Sequence, residues 1–274
     1  MCRFVLYHGP EIPLADLITR PRNSLINQSY DAELRQEPLN GDGFGMAWYV
    51  PEMRGHPAIF RSITPAWSNT NLIDLAAVIR SGRILAHVRA ASPGLPVVET
   101  NCHPFRWRNL SFMHNGSIPD FKPVRREILR RISDEAFAML GGTTDSEHIF
   151  ALFVDHYLKE AHLGRALRRT LDEVGEIAGP DRTCLLNLAV SDGTDAAACR
   201  VTLGPHQDES NTLFVHHGMQ YICDGEVCRM IDPGGEGMAT LIASEPLSDE
   251  PGWVSVPLNH LVIVQNSELD LEPF

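Results

Sequence analysis

Cys2 follows the initiator methionine directly. Removal of Met1 would place a thiol and a free α-amine on one residue. An α-amine has a reference pKa of about 7.7–8.0 and a thiol about 8.5, so the amine can accept the thiol proton near neutrality. That pairing activates a nucleophile without a histidine partner. Taken alone, a cysteine at position 2 is also an ordinary second residue.

The strand-like run LAHVRAAS (85–92) carries the next polar groups. Alternation puts Leu85, His87 and Arg89 on one face and Ala86, Val88 and Ala90 on the other. An arginine closing an apolar strand needs an anion, and its planar fork matches a carboxylate. A structural ion pair fits the same pattern, and His87 fits a satisfied core histidine.

In MHNGS (113–117), the Asn115 side-chain amide and the Gly116 N–H could converge on a developing oxyanion, with glycine permitting close approach and unusual φ. Adjacent Asn and Gly also make a turn. In TTDSEHIFALF (143–153), Thr144 and Glu147 form a capping-box pattern that opens a helix. Asp145 then lies in the first turn, where the helix dipole favours a carboxylate, and it is free to bind an ammonium because Thr144 supplies the cap. NGDGFG (40–45) has no Lys-Ser/Thr after it and precedes a strand, so it reads as a tight turn rather than a phosphate loop.

Elements of two kinds must position these groups. Strand-like runs lie at 3–7, 44–50, 83–90, 110–113, 184–190, 199–203, 212–217 and 260–264. Helical periodicity predicts helices over 71–81, ending at a Gly82 cap, over 144–158 and over 163–177. In the last of these, Leu163, Leu167, Leu171, Val174 and Ile177 make one stripe. Gly/Pro-rich stretches at 51–57, 93–96, 232–237 and 245–252 read as loops. Helices between two groups of strands, without strict βαβ alternation, predict an α+β or layered sandwich in a single domain, 1–274.

The chain has 274 residues, 43% hydrophobic and 21% charged, with a formal charge of −12. That balance, without a basic run, argues against nucleic-acid or anionic-membrane partners. No window approaches the roughly 20 apolar residues of a bilayer span, and no secretory leader is visible, so the expected location is cytoplasmic. Six irregularly spaced cysteines in such a compartment read as free thiols. Cys223 and Cys228, near His216 and His217, are a weak zinc pattern, so no metal is expected.

In order and content, these segments resemble the class II glutamine amidotransferases, a branch of the N-terminal-nucleophile hydrolases. The pattern comprises Cys2, GDGFG (41–45), the H-x-R-x-x-[ST] strand at His87, Arg89 and Ser92, HNG (114–116), and the helix start at 144–147. The segments PRNSLINQSYDAEL (21–34), ITPAW (63–67), ETNCHPF (99–105) and ASEPL (243–247) extend the likeness to the amidotransferase-like subunits of glutathione degradation and the γ-glutamyl amidohydrolases of ergothioneine synthesis.

The resemblance implies a four-layer αββα sandwich of two antiparallel sheets, needing no cofactor. It implies Cys2 as nucleophile and base, Asn115 and Gly116 as oxyanion hole, Arg89 and Ser92 on the substrate α-carboxylate, and Asp145 on its α-ammonium. The expected reaction is hydrolysis of a small γ-glutamyl amide or peptide, with a metallopeptidase-like protein as partner. A glutaminase subunit feeding ammonia to a separate synthase, and a non-catalytic scaffold, are the competing readings.

Overall fold

A computed structural model describes residues 2–34, 39–92, 94–232 and 238–274. Met1, Pro93 of the 93–96 loop and most of the 232–237 loop lie outside the described residues. The strands are β1 (Arg3–Pro13), β2 (Phe44–Trp48), β3 (Ala58–Ser62), β4 (Arg80–Val88), β5 (Phe105–Trp107), β6 (Leu110–Ser117), β7 (Cys184–Ser191) and β8 (Ala196–Leu203). They continue as β9 (Phe214–Gly218), β10 (Gln220–Asp224), β11 (Val227–Ile231), β12 (Ala239–Ala243), β13 (Val254–Ser255), β14 (His260–Gln265) and β15 (Glu268–Pro273). The helices are α1 (Ala15–Ile18), α2 (Leu25–Tyr30), α3 (Thr70–Val78), α4 (Phe121–Arg131), α5 (Asp134–Ala138), α6 (Asp145–Glu160) and α7 (Leu163–Ala178).

Among the described residues, a seven-stranded sheet runs β13-β9-β12-β1-β4-β2-β3 and a six-stranded sheet runs β15-β14-β8-β7-β6-β5. Every pairing in both is antiparallel. Period-2 alternation explains the layers. Phe4 and Leu6 of β1 meet Met113, Ala189, Ala198 and Val262 in the core between the sheets. Val5 and Tyr7, on the other face of β1, pack with Leu17, Leu25 and Leu72 of α1–α3. Phe112, Leu186 and Leu188 of the second sheet pack under Phe150, Phe153, Leu167 and Leu171 of α6 and α7. The result is the expected αββα sandwich. Among the described residues, no helix is long and apolar enough to cross a membrane.

Local signals place the helix starts. Asn69 Oδ1 accepts the Leu72 N–H at 3.0 Å to open α3, and His162 caps α7 by accepting the Arg165 N–H at 3.3 Å. The α7 stripe is buried at Leu163, Leu167, Leu171 and Val174, and Ile177 packs half-buried against it.

Two expectations fail here. Helix α3 stops at Val78, and Gly82 lies within β4 rather than capping the helix. A Cβ at Gly82 would sit 2.4 Å from the Gly9 carbonyl oxygen, so close approach of β1 explains the glycine. Nor are all the thiols free. Cys223 and Cys228 face each other across the β10–β11 hairpin, Cα atoms 4.0 Å apart, and form a disulfide, whereas Cys2, Cys102, Cys184 and Cys199 are free. The hairpin register, invisible in the spacing, brings the pair together.

Candidate active site

Strand register builds the site. Arg3 of β1 pairs with Val88 of β4, so Cys2 continues alongside the end of β4, where Arg89 and Ala90 follow. The Ala90 N–H points at Cys2 Sγ, 3.4 Å away. By alternation, Cys2 falls on the side of Phe4 and Leu6, Arg89 on that of Leu85, and Asn115 on that of Met113. All three sides face the space between the sheets.

Cys2 is partly buried. Burial is the largest influence on its thiol and pushes the pKa up. The Ala90 N–H, Arg89 and Arg3 pull it back, and Asp145 opposes them. A thiol held protonated in this way needs a base to take its proton when it attacks.

Arg89 is buried, and its guanidinium has only long bonds: 3.4 Å to the Asp42 carbonyl and 3.4–3.5 Å to the Pro96 carbonyl. Among the described residues it has no carboxylate partner, so the structural ion pair is not made here. A buried cation in this state suits an incoming carboxylate. The glycine loop holds it in place. Asp42 N–H donates to the Arg89 carbonyl at 2.9 Å, Asp42 Oδ2 accepts the Ala91 N–H at 2.8 Å, and Arg89 N–H donates to the Gly43 carbonyl at 2.8 Å. Gly43 adopts φ +114°, and a Cβ at Gly45 would meet the His103 carbonyl at 2.2 Å, so this is the tight turn with close approach that its sequence suggested. Ser92 is exposed on the loop that follows.

Asn115 and Gly116 lie inside strand β6, not in a turn. The fully buried Asn115 amide donates weakly to Ser244 Oγ at 3.5 Å, and its Oδ1 has no partner among the described residues. Ser244 Oγ also accepts the Phe4 N–H at 3.0 Å, which ties Asn115 to the strand that carries the nucleophile. A Cβ at Gly116 would lie 1.8 Å from the Leu185 carbonyl oxygen. Close approach of β7 therefore requires the glycine; it is not among the positive-φ positions, contrary to the expected unusual φ.

Thr144 caps α6 by accepting the Glu147 N–H at 3.2 Å, but the box is half formed. Glu147 turns instead to the Gly141 and Gly142 N–H groups, at 2.9 and 2.7 Å. Asp145 is not free. Its Oδ2 accepts the Ile118 N–H at 2.8 Å and its Oδ1 the Ser146 N–H at 2.8 Å, pinning the end of β6 to the start of α6. An ionised carboxylate has about four lone-pair sites, so capacity remains for an ammonium.

Sequence reasoning missed Arg3, Ser244 and Glu245. Arg3 Nε lies 2.6 Å from Glu245 Oε1, with both side chains buried, and Arg3 Nη1 donates to the Cys2 carbonyl at 2.9 Å. The ASEPL segment was visible, but nothing local assigned its Ser and Glu to the first strand. Behind the site, the His87 and His103 rings lie against each other, tilted by 31°, with centroids 4.2 Å apart.

Comparison with known proteins identifies the family. The family profile described as Glutamine amidotransferases class-II matches residues 27–272. The probable glutamine amidotransferase DUG3 of Saccharomyces cerevisiae is 38% identical over 304 aligned positions, covering 100% of this chain and 84% of the yeast protein. The γ-glutamyl-hercynylcysteine sulfoxide hydrolase of Mycolicibacterium smegmatis is 30% identical, with 100% of each chain covered. The solved structure of a glutamine aminotransferase class-II domain protein from Silicibacter pomeroyi superposes with a TM-score of 0.67 at 26% identity, covering 100% of this chain and 99% of that one.

Proposed function

The chain belongs to the class II glutamine amidotransferases, and from that premise we propose that it hydrolyses γ-glutamyl amides through a thioester on Cys2. The observation that carries this reading is the Cys2 thiol beside the Ala90 N–H, with the buried Arg89, which has no carboxylate partner among the described residues, one residue away. The mycobacterial γ-glutamyl-hercynylcysteine sulfoxide hydrolase, matched along its whole length, points the same way.

In this proposal the mature α-amine takes the Cys2 proton as Sγ attacks the γ-carbonyl carbon. The carbonyl oxygen becomes an oxyanion, which accepts hydrogen bonds from the Asn115 amide and the Gly116 N–H. Collapse breaks the C–N bond, and the ammonium returns its proton to the leaving amine. Water, deprotonated by the same amine, then cleaves the thioester and releases glutamate. Arg89 and Ser92 hold the substrate α-carboxylate, and Asp145 its α-ammonium.

Glutathione-like γ-glutamyl peptides are the leading substrates, with a metallopeptidase-like protein as partner. Cytoplasmic placement belongs to the same proposal, and it requires that the Cys223–Cys228 disulfide form where Cys2 stays reduced. The test incubates the protein, alone and with such a partner, with glutathione, other γ-glutamyl peptides and glutamine. Released glutamate and intact mass are followed. Expected are loss of Met1, a glutamyl adduct on Cys2 and glutamate release, all absent in Cys2→Ala. Full turnover by a chain retaining Met1 would overturn the mechanism. Glutamate release from glutamine alone, stoichiometric with amination of a second substrate, would establish ammonia delivery instead.

A further inference from the structure

We propose that Arg3 and Glu245 form a charge-neutral clamp that fixes the main chain of the nucleophile and sets the proton affinity of its α-amine. This rests on the reading above, in which that amine is the base.

The pair joins residues 242 positions apart and is sealed from water, with side-chain exposures of 4% and 0%. Alternation puts Arg3 on the face of Val5, opposite the side on which Cys2 falls, so it reaches the nucleophile from behind. Its Nη1 holds the Cys2 carbonyl at 2.9 Å, and its Nε meets Glu245 Oε1 at 2.6 Å. The second Glu245 oxygen accepts the Glu33 N–H at 2.9 Å and is thereby fixed as well. Arg3 is thus a positioning residue rather than a catalytic one.

Its charge still reaches the reacting groups. The amine and the carbonyl of Cys2 are atoms of one residue, so the guanidinium lies within a few ångströms of the base. The other charged and titratable groups that bear on Cys2 are Arg89 after β4, Asp145 at the start of α6 and the Cys102 thiol before β5. A bare cation beside an amine disfavours its protonated form. Glu245, with the opposite charge, offsets that effect.

The test is the pH profile of kcat/KM for γ-glutamyl hydrolysis, whose acid limb reports the base of the free enzyme. Glu245→Gln removes the anion but keeps the shape. Its acid limb is expected to move to lower pH by about one unit, because the remaining Arg3 charge destabilises the ammonium. Arg3→Gln/Glu245→Gln removes both charges, and its limb is expected to return to the wild-type position. The double variant is also expected to lose about tenfold or more in kcat, with KM nearly unchanged, because the Cys2 carbonyl has lost its tether.

Circular dichroism establishes which variants fold. If Glu245→Gln does not, the double variant decides: wild-type kcat overturns the clamp, and a kcat loss at constant KM supports it. A limb unmoved in folded Glu245→Gln, or not restored in the double variant, overturns the electrostatic role. Failure of the underlying reading looks different, since the wild-type protein would then form no glutamyl adduct on Cys2.

Discussion

His87 Nε2 lies 3.1 Å from the His114 carbonyl oxygen, a hydrogen bond that crosses from β4 of one sheet to β6 of the other. It links the strand leading to Arg89 with the strand holding Asn115. The bond requires the Nε2–H tautomer, and burial favours that neutral ring, its pKa pushed down to about 3. His87→Phe should therefore leave a buried carbonyl unsatisfied and cost about 1–3 kcal/mol of stability, measured by urea denaturation. The kcat should fall with it. A variant of wild-type stability would show that the cross-sheet bond contributes nothing.

Acid should weaken the fold for a related reason. Burial, helped by Arg83, lowers the His8 pKa to about 4, and burial also holds His103 well below its usual range. These rings and His87 are neutral when folded but take protons below about pH 6.5 when unfolded. Their contribution to stability is complete above that pH and drains away as pH falls towards the folded values. Each should contribute a slope of about 1.4 kcal/mol per pH unit, and His8→Gln should remove one share. Equal urea midpoints at pH 7 and pH 5 would contradict this.

Arg89→Ala should lose about 2–5 kcal/mol in kcat/KM for a γ-glutamyl substrate, the range for truncating one partner of a buried charge pair. Steady-state kinetics on substrates with and without the α-carboxylate provide the check. The loss should vanish for the substrate lacking the carboxylate. A loss equal for both would mean that Arg89 supports only the loop formed with Asp42.

Asn115→Ala should lower kcat by about a hundred- to a thousandfold with little change in KM, as for removal of one oxyanion donor. An effect confined to KM would remove Asn115 from the oxyanion hole.

Asp145→Ala should do two things at once, because the carboxylate also holds the Ile118 and Ser146 N–H groups. It should raise KM and lower the thermal midpoint. Asp145→Asn keeps an acceptor, so it should recover stability but not substrate affinity. Equal affinity in Asp145→Asn and the wild-type protein would leave Asp145 a purely structural cap.

Buried strands were legible where both faces carry near-continuous apolar runs, as in β7 and the first half of β6; the polar second half of β6, residues 114–117, left no strand signal. Helices α6 and α7 were legible from their apolar period. Helix α4 was not, since only Val124 and Ile128 of its eleven residues are buried and charge dominates the rest. The β10–β11 hairpin, the three-residue β5 and the two-residue β13 are too short or too exposed to leave a pattern.

At the candidate site, the sequence by itself supplied candidates by residue type and local spacing, Cys2, Arg89, Asn115, Gly116 and Asp145, and the family resemblance supplied the roles proposed for them. It also determined that Leu85, His87 and Arg89 share a face, because alternation is local. Only the tertiary structure decided what those groups meet. Among the described residues, Arg89 meets carbonyls and no carboxylate, Asp145 meets two backbone N–H groups, and Cys223 meets Cys228. Likewise, Arg3 meets Glu245, and Asn115 meets Ser244, the residue that precedes Glu245. The reason is that such contacts depend on sheet register and on how two sheets stack. A shift of one residue would exchange every partner without changing the period of any strand.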